Sequence, residues 1–316
     1  MNERQEYTIV IPVYYNADTL RLVFEDIKQN VFDAYPQYSG EVLFVDDGSG
    51  DNSFEVLKQL KSEYGPLIRV IKLSRNFGQM AASFCGTCHT KRPVITLSAD
   101  GQDPVNIIPE MLKSHFEEGY EVVIAKRDSR DETLWRRTTS HIVFWLLRHL
   151  CAKDMPIGGF DFILLGPKAS AAYVRQHWQP TVFWQVWILK LGFKRKWIGY
   201  HRGNRKGTSK SHWTFSKKFT YMIDGVLGHS YVPIRAISGI GIFCSFLSFL
   251  LTVFFLANYL LSPTPPTFPG WTPIMLLILF LGGMQMTMMG IIGEYLWRVF
   301  AQVRQDTPFI IEEILE

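Results

Sequence analysis

EVLFVDDGSGDNS, residues 41–53, runs an apolar β-rich segment straight into two aspartates and a Gly-Ser turn, and Ser53–Glu63 then continues with helical spacing. The pattern repeats on both sides. Tyr7–Val13 (YTIVIPV) reads as a strand followed by a helix over Asp18–Gln29, and Ile68–Leu73 (IRVIKL) as a strand followed by a helix from about Gln79. Pro93–Leu97 (PVITL) leads to a helix over Pro104–Glu118, and Glu121–Ala125 (EVVIA) is one more strand. Such alternation predicts an α/β fold, a mainly parallel sheet with helices on both faces. Ligands on sheets of this kind gather at the carboxyl ends of the strands, so the residues just after each strand are the ones to question.

Three segments stand there. Pro12-Val13-Tyr14-Tyr15-Asn16 follows the first strand, Asp46-Asp47-Gly48-Ser49 the second, and Ser98-Ala99-Asp100-Gly101-Gln102-Asp103-Pro104 the fourth. Asp, Gly and Ser also build ordinary turns and N-caps, and Asp103-Pro104 can simply begin a helix. Carboxylates at successive strand ends repel one another, however, unless a cation or a donor-rich ligand sits among them. Asp46-Asp47 and Asp100 therefore point to a binding site on that edge.

The chain has 316 residues, room for about two domains at roughly 100–200 residues each. With 47% hydrophobic and 20% charged residues it is not disordered, collagen-like or a coiled coil. The net charge of +4 hides two unlike halves: 18 Lys/Arg against 23 Asp/Glu through Asp161, then 15 against 6 from Phe162 onward. A basic second half suits contact with anionic material.

Ala236–Gly293 carries no charge of either sign. Its first part, Ala236–Leu261, has 26 residues and as a helix would reach about 39 Å, beyond the ~30 Å hydrocarbon core. Ser262–Gly270 (SPTPPTFPG) stops that helix with its prolines, and Trp271–Gly293 is a second uncharged run. The expectation is a two-helix C-terminal transmembrane hairpin. Lys217, Lys218 and Arg235 precede it, Arg298 and Arg304 follow it, and the connecting loop has neither Lys nor Arg. Both chain ends are therefore expected on the cytoplasmic side. MNERQEYTIV shows no apolar core behind a basic start, so no secretory leader is expected and the first ~230 residues are assigned to the cytosol.

Lys194–Lys218 holds nine Lys/Arg and no acid, interleaved with Trp197, Tyr200, Trp213 and Phe215. Basic residues with aromatics also suit nucleic acid. Next to a membrane span they fit an interfacial segment drawn to anionic lipid better, and no nucleic-acid partner is expected. Gln176–Leu191 (QHWQPTVFWQVWILKL) reads as an amphipathic helix lying on the bilayer. Cys85-Gly-Thr-Cys88-His89 formally matches a haem-attachment or redox motif, but reads as a small-residue helix packed on the sheet. Disulfides are not expected in the cytosol.

Taken together, several segments resemble family 2 glycosyltransferases of the GT-A fold. They are IVIPVYYN (9–16), VLFVDDGSGDNS (42–53), LSRNFGQMAA (73–82), SADGQDP (98–104), GGFDFILL (158–165), RKGTSK (205–210) and FLGGMQMTMMGIIGEYLWRVF (280–300). The last, with its spans, resembles the polyprenyl-phosphate branch that includes dolichol-phosphate mannose synthase and bacterial undecaprenyl-phosphate glucosyltransferases. The resemblance implies a Rossmann-like GT-A catalytic domain over 1–165 and a basic/aromatic juxtamembrane segment with interfacial helices over 166–231. Two transmembrane helices over 232–300 and a cytoplasmic tail over 301–316 complete the expected organisation.

The implied reaction moves one sugar from a nucleotide-sugar, UDP-linked by preference, to a polyprenyl phosphate such as undecaprenyl phosphate, with inversion. It would take place at the cytoplasmic face of the inner membrane. A departing nucleoside diphosphate needs positive charge on its pyrophosphate, which Mg²⁺ or Mn²⁺ supplies. By resemblance, Asp100 is catalytic and the principal metal ligand, with Gln102 a weaker oxygen donor. Ser98 stands where the family usually has Asp, which lowers the expected metal affinity. Pro12, Tyr14, Asp46, Asp47 and Arg75 are assigned to the nucleotide. Asp161 matches the family's base position, although the Arg usual two residues later is Ile163. A phosphate acceptor is already ionised and hardly needs a base, so orienting a substrate is an equal role for Asp161. Lys126, Arg127, Arg130 and Lys210 are candidates for the acceptor phosphate.

Two rival readings stand beside this one. A catalytically weak nucleotide-sugar-binding membrane scaffold is motivated by Ser98 and Ile163. A processive polysaccharide synthase is disfavoured, because Gln185-Val-Trp187 does not complete the Gln-x-x-Arg-Trp motif of such enzymes and two spans are too few for an export channel. Partners expected on the main reading are the bilayer, a flippase for the lipid-linked sugar bound for cell-surface glycan, and a homo-oligomer compatible with Gly282-Gly283, Gly290 and Gly293.

Overall fold

The computed structural model describes residues 5–127, 154–156, 160–175, 184–200, 271–304 and 307–316, together with Phe243, Phe246 and Leu250. Its centre is an eight-stranded sheet in the order β7-β5-β6-β4-β1-β2-β3-β8. Four strands come from the apolar runs of the first hundred residues: β1 (Gln5–Val13), β2 (Tyr38–Asp46), β3 (Ile68–Leu73) and β4 (Val94–Thr96). The others are β5 (Val122–Arg127), β6 (Ile163–Leu165), β7 (Arg195–Tyr200) and β8 (Ile311–Leu315). Pairing is parallel for β1 with β2 and β4, β2 with β3, and β5 with β7. β6 runs antiparallel to β4 and β5, and β8 antiparallel to β3. The expected mainly parallel α/β architecture is present.

Four helices cover these strands: α1 (Ala17–Ile27), α2 (Ser53–Tyr64), α3 (Gln79–Cys88) and α4 (Ile108–Phe116). Helix α1 buries Leu20, Val23, Phe24 and Ile27, the i, i+3, i+4, i+7 stripe of an amphipathic helix. It passes directly into a π-helical turn over Lys28–Phe32. The predicted helix from Pro104 is a 3₁₀ turn at Val105–Ile107 followed by α4. Helix α3 lies close on β1 because it presents small residues, and a methyl at Gly86 would overlap the Val10 side chain. Cys85 is a packing residue in the layer formed by Val10, Leu43, Val45, Ile71 and Val94. Burial raises its thiol to about 12 and that of Cys88 to about 11, so both stay protonated and unreactive near neutral pH.

Three findings differ from the sequence reading, the first being that Arg195–Tyr200, within the stretch expected to be interfacial, is strand β7 of the sheet. Trp184–Lys190 is a helix, α6, preceded by α5 at Pro167–Arg175. Instead of lying on a bilayer surface, α6 buries every residue from Trp184 to Leu189. Its tryptophans are used inside the fold, Trp184 edge-on to Phe160 with ring centroids 5.4 Å apart and Trp187 against Tyr173 at 5.0 Å. The stretch expected to be a cytoplasmic tail includes β8, which extends the sheet beside β3.

The chain divides into two compact units, Met1–Gly225 with Gln305–Glu316, and Val226–Arg304. The second contains α7, an unbroken 34-residue helix from Trp271 to Arg304, about 51 Å at 1.5 Å per residue. Among the described residues taken by themselves, no helix is long and apolar enough to cross a membrane. The first expected span, Ala236–Leu261, lies outside them except for Phe243, Phe246 and Leu250, and many α7 side chains lie outside them too.

The contact of α3 with β1 gives a stability test. Gly86→Val is expected to lower unfolding free energy by about 1–3 kcal/mol through overpacking, read as a fall in the thermal midpoint of the purified protein. Ala at the half-buried Gly65, where a side chain meets open space but φ is 54°, should destabilise by backbone strain in place of overpacking.

Candidate functional site

The strands advance from β1 to β2 to β3 and then return to β4 on the other side of β1, so the order reverses between β1 and β4. Open α/β sheets bind ligands in the crevice at such a reversal. Pro12 opens this one. Thr8 donates to Pro93 O at 2.9 Å and Val10 O accepts from Leu97 N at 3.0 Å, so every second residue of β1 faces β4. Pro12 is the next in that series and has no N–H to give, and the paired residues of β4 end at Thr96, opposite Val10. Beyond this point the loops leaving β1 and β4 part.

The loop after β1 is pinned from the far side. Tyr15 N donates to Ser49 Oγ at 3.2 Å and Asn16 N to Ser53 Oγ at 3.0 Å. Tyr15 sits at φ 55°, a left-handed conformation that is uncommon for an aromatic residue. The result presents Tyr14 and Tyr15 as an exposed edge-to-face pair with centroids 4.7 Å apart. Tyr14 thus stands exposed just beyond the end of β1.

Asp46 and Asp47 end β2, both almost fully buried. They have different work. Asp47 accepts Phe77 N–H at 2.7 Å and Gly78 N–H at 2.9 Å through its two oxygens, fixing the loop that enters α3. Asp46 Oδ1 accepts the Ser49 N–H at 3.4 Å, while its buried Oδ2 has no hydrogen-bond partner among the described residues. Gly48, at φ 66°, lets the Arg75-Asn76 backbone approach closely. Arg75 is exposed nearby, its guanidinium 4.3 Å over the Phe77 ring.

Asp100 follows β4 in a tight turn. Its Oδ1 accepts from Ser98 Oγ at 2.9 Å and from Gln102 N at 3.1 Å. This turn is tied to α1 by Thr19 Oγ1, which donates to Ala99 O at 2.7 Å. Ser98 therefore does not leave a gap where a second carboxylate would stand, since its hydroxyl is spent on orienting Asp100. Among the described residues no group of three His, Cys, Asp or Glu side chains is arranged to hold a metal ion. The oxygen set at Asp100 and Gln102 still fits Mg²⁺ or Mn²⁺ in the way these ions are held in phosphate sites, by one or two carboxylates plus phosphate oxygens.

Asp161 reaches the same edge because β6 is antiparallel: the residue entering β6 lies where the other strands exit. It is exposed, and the Gln185 amide Nε2 donates to Asp161 Oδ1 at 3.4 Å and to Phe160 O. Gln185 is itself buried, with an Oε1 that has no partner among the described residues. Sequence reasoning set Gln185 aside as part of an incomplete motif, and the same segment's Trp-rich look disguised it. Asp103 is a second omission. It is buried and accepts from Tyr200 OH at 3.3 Å, joining the Asp100 turn to the exit of β7. Lys126, which is exposed, and Arg127 close β5 on this edge, in register with Gly199 and Tyr200 of β7. Arg130 and Lys210 lie outside the described residues.

The chain matches the family described as "Glycosyl transferase family 2" over residues 8–166. It is 32% identical to the glycosyltransferase CsbB of Bacillus subtilis, covering 97% of this chain and 91% of that protein. It is 30% identical to the undecaprenyl-phosphate 4-deoxy-4-formamido-L-arabinose transferase of Edwardsiella ictaluri, over 98% of this chain and 94% of the other. A prophage-derived bactoprenol glucosyl transferase of Shigella flexneri is 26% identical, with 97% of each chain covered.

Burial pushes the Asp47 carboxyl up to about 6, against the pull of the Phe77 and Gly78 N–H groups; Asp46 is raised by burial too, with Ser49 opposing. Because the folded value lies above the reference 3.8, Asp47's contribution to stability is full below about pH 4 and is lost as pH rises through about 6. The loss is on the order of 2–3 kcal/mol. Asp47→Asn should flatten this part of the profile in denaturant unfolding of the ligand-free protein; an unchanged slope in the variant would assign the titration to another group.

Proposed function

Because the chain belongs to glycosyl transferase family 2, we propose that it transfers a single sugar from a nucleotide-sugar, UDP-linked by preference, to a polyprenyl phosphate with inversion at the anomeric carbon. The observation that carries this reading is the row of groups along one sheet edge. Running from β3 to β5 it holds Arg75, the Asp46-Asp47 pair, Tyr14, Asp100, Asp161 and then Lys126-Arg127. At about 4.8 Å per strand, β2 and β6 are some 14 Å apart and β2 and β5 some 19 Å, so one edge has room for a donor and an acceptor end to end. Full-length similarity to relatives named for bactoprenol and undecaprenyl phosphate supports the choice of acceptor.

In this reading the nucleotide lies over Pro12, Tyr14 and the β2 end. Tyr14 stacks on the base, and Asp46 Oδ2, without a partner among the described residues, accepts a hydrogen from base or ribose. Asp47 acts through the loop it fixes, and Arg75 closes that end. Asp100, with Gln102, would hold the Mg²⁺ or Mn²⁺ ion. When bound, the ion offsets charge on the departing diphosphate. Asp161, steadied by Gln185, faces the reacting centre and orients the acceptor phosphate or the sugar. Lys126 and Arg127 receive the lipid phosphate by charge-assisted hydrogen bonds, with Arg130 and Lys210 as further candidates.

The membrane arrangement belongs to the same proposal. Residues 226–304 leave the first unit and the chain re-enters it in time to form β8. Both ends of the excursion are therefore on one side, which requires an even number of crossings, and two uncharged segments supply two. Exposed Ile274, Leu277, Ile278, Met289 and Ile292 along α7 suit a lipid surround. The catalytic unit and both chain ends then lie at the cytoplasmic face. The product feeds a flippase and outward glycan modification.

The test is transfer of label from UDP- and GDP-sugars to undecaprenyl phosphate by purified protein in detergent, with Mg²⁺ or Mn²⁺ against EDTA. Transfer from one donor is expected, lost under EDTA and reduced at least a hundredfold in Asp100→Asn. Nucleotide binding without transfer from any donor would support the scaffold reading instead. Mn²⁺ titration by paramagnetic resonance adds a second expectation. With only one carboxylate at the site, the ion should bind at least tenfold tighter when UDP or GDP is present; equally tight binding without nucleotide would count against Asp100 as the ligand.

A further inference from the structure

We infer that residues 307–316 are a positioning element of the nucleotide end of the site, so that the chain returning from 226–304 sets donor affinity. The inference rests on the reading of the Asp46–Arg75 surroundings as the nucleotide end. Strand β8 pairs with β3 along its length, Val70 with Leu315 through Leu73 with Ile311, and the ladder is irregular between Lys72 and Leu73. There the contact extends past the strand: Ser74 N donates to Ile310 O at 2.9 Å. Lys72, the register partner of Asp46, has its ammonium held by Glu312 Oε1 at 3.0 Å. Phe309 packs edge-on to Phe84 and His89, with centroids 6.4 and 6.1 Å away. Phe309 and Ile311 rest on the same apolar layer as Phe77, alongside Leu73, Ala82 and Cys85.

The loop 74–78 is thus clamped at two points that belong to different parts of the sequence. Ile310 O holds its beginning, and the Asp47 carboxylate holds its end through Phe77 and Gly78. Between them lie Arg75 and the backbone that Gly48 lets come close. A loop with two anchors has little freedom; with one it gains conformers, and ordering it must then be drawn from ligand binding. Loss of 307–316 also removes Phe309 and Ile311 from the apolar layer on which Phe77 rests. The expected signature is weaker donor binding with little change in the chemical step, because Asp100 and Asp161 stand on β4 and β6, away from β3.

The experiment compares the full chain with one ending at Asp306, by amide hydrogen exchange and by titration with UDP and with GDP. In the shortened chain the amides of Phe77 and Gly78 should exchange at least tenfold faster. The nucleotide that the full chain binds should bind about tenfold more weakly, and donor KM should rise more than kcat falls. A synthetic peptide of residues 307–316 added in trans should restore both. If the shortened chain fails to fold, Phe309→Ala/Ile311→Ala in the full chain is expected to give the same changes at smaller size. Unchanged exchange at 77–78 together with unchanged affinity overturns the inference. A full chain that binds neither UDP nor GDP overturns the nucleotide reading instead, while the exchange comparison still decides whether 307–316 anchors the loop.

Discussion

Pro12 occupies the position from which β1 would donate its next hydrogen bond toward β4. A strand buried between two neighbours normally satisfies every N–H, and a residue without one ends the pairing on that side. The consequence is geometric. The two loops that matter most, one after β1 and one after β4, diverge from a common hinge line, and their backbones never compete for each other's hydrogen bonds. The first is anchored to Ser49 and Ser53, and the Thr19 hydroxyl ties the two together, donating to Asn16 O and to Ala99 O.

Electrostatics then make that crevice receptive. Asp46 and Asp47 are buried side by side, and burial raises both. One is compensated by two backbone donors and the other keeps an oxygen with none among the described residues. Arg75 after β3 and Lys126 near the end of β5 put positive charge on either side of these carboxylates.

Much of the fold was legible because β1, β2, β4 and β5 each carry a run of consecutive apolar residues, the pattern of strands buried on both faces. What remained hidden shares a physical cause. Ile163–Leu165 is three residues long, Arg195–Tyr200 begins with charges in a basic stretch, and Ile311–Leu315 is an edge strand with an exposed acidic middle. None carries enough apolar periodicity to announce itself. The site followed the same rule. Tyr14, Asp46, Asp47 and Asp100 were singled out by position, at or after the end of a strand. Gln185 and Asp103 were not, since their roles come from contacts across 24 and 97 residues of sequence. The tryptophans of 184–187 looked like a membrane surface and turned out to fill the interior beside Phe160 and Tyr173.

The antiparallel pairing of β8 with β3 also orders events in time. Residues 311–315 emerge from the ribosome only after 226–304 have done so, whereas β1 to β4 are complete some two hundred residues earlier. Through that interval β3 is an open edge, with unpaired backbone groups that invite association with other chains. Folding of the sheet cannot finish until residues 311–315 have been made. A nascent chain whose apolar segment is misplaced would be left with that edge uncovered, a mark by which quality control can distinguish it from a finished molecule.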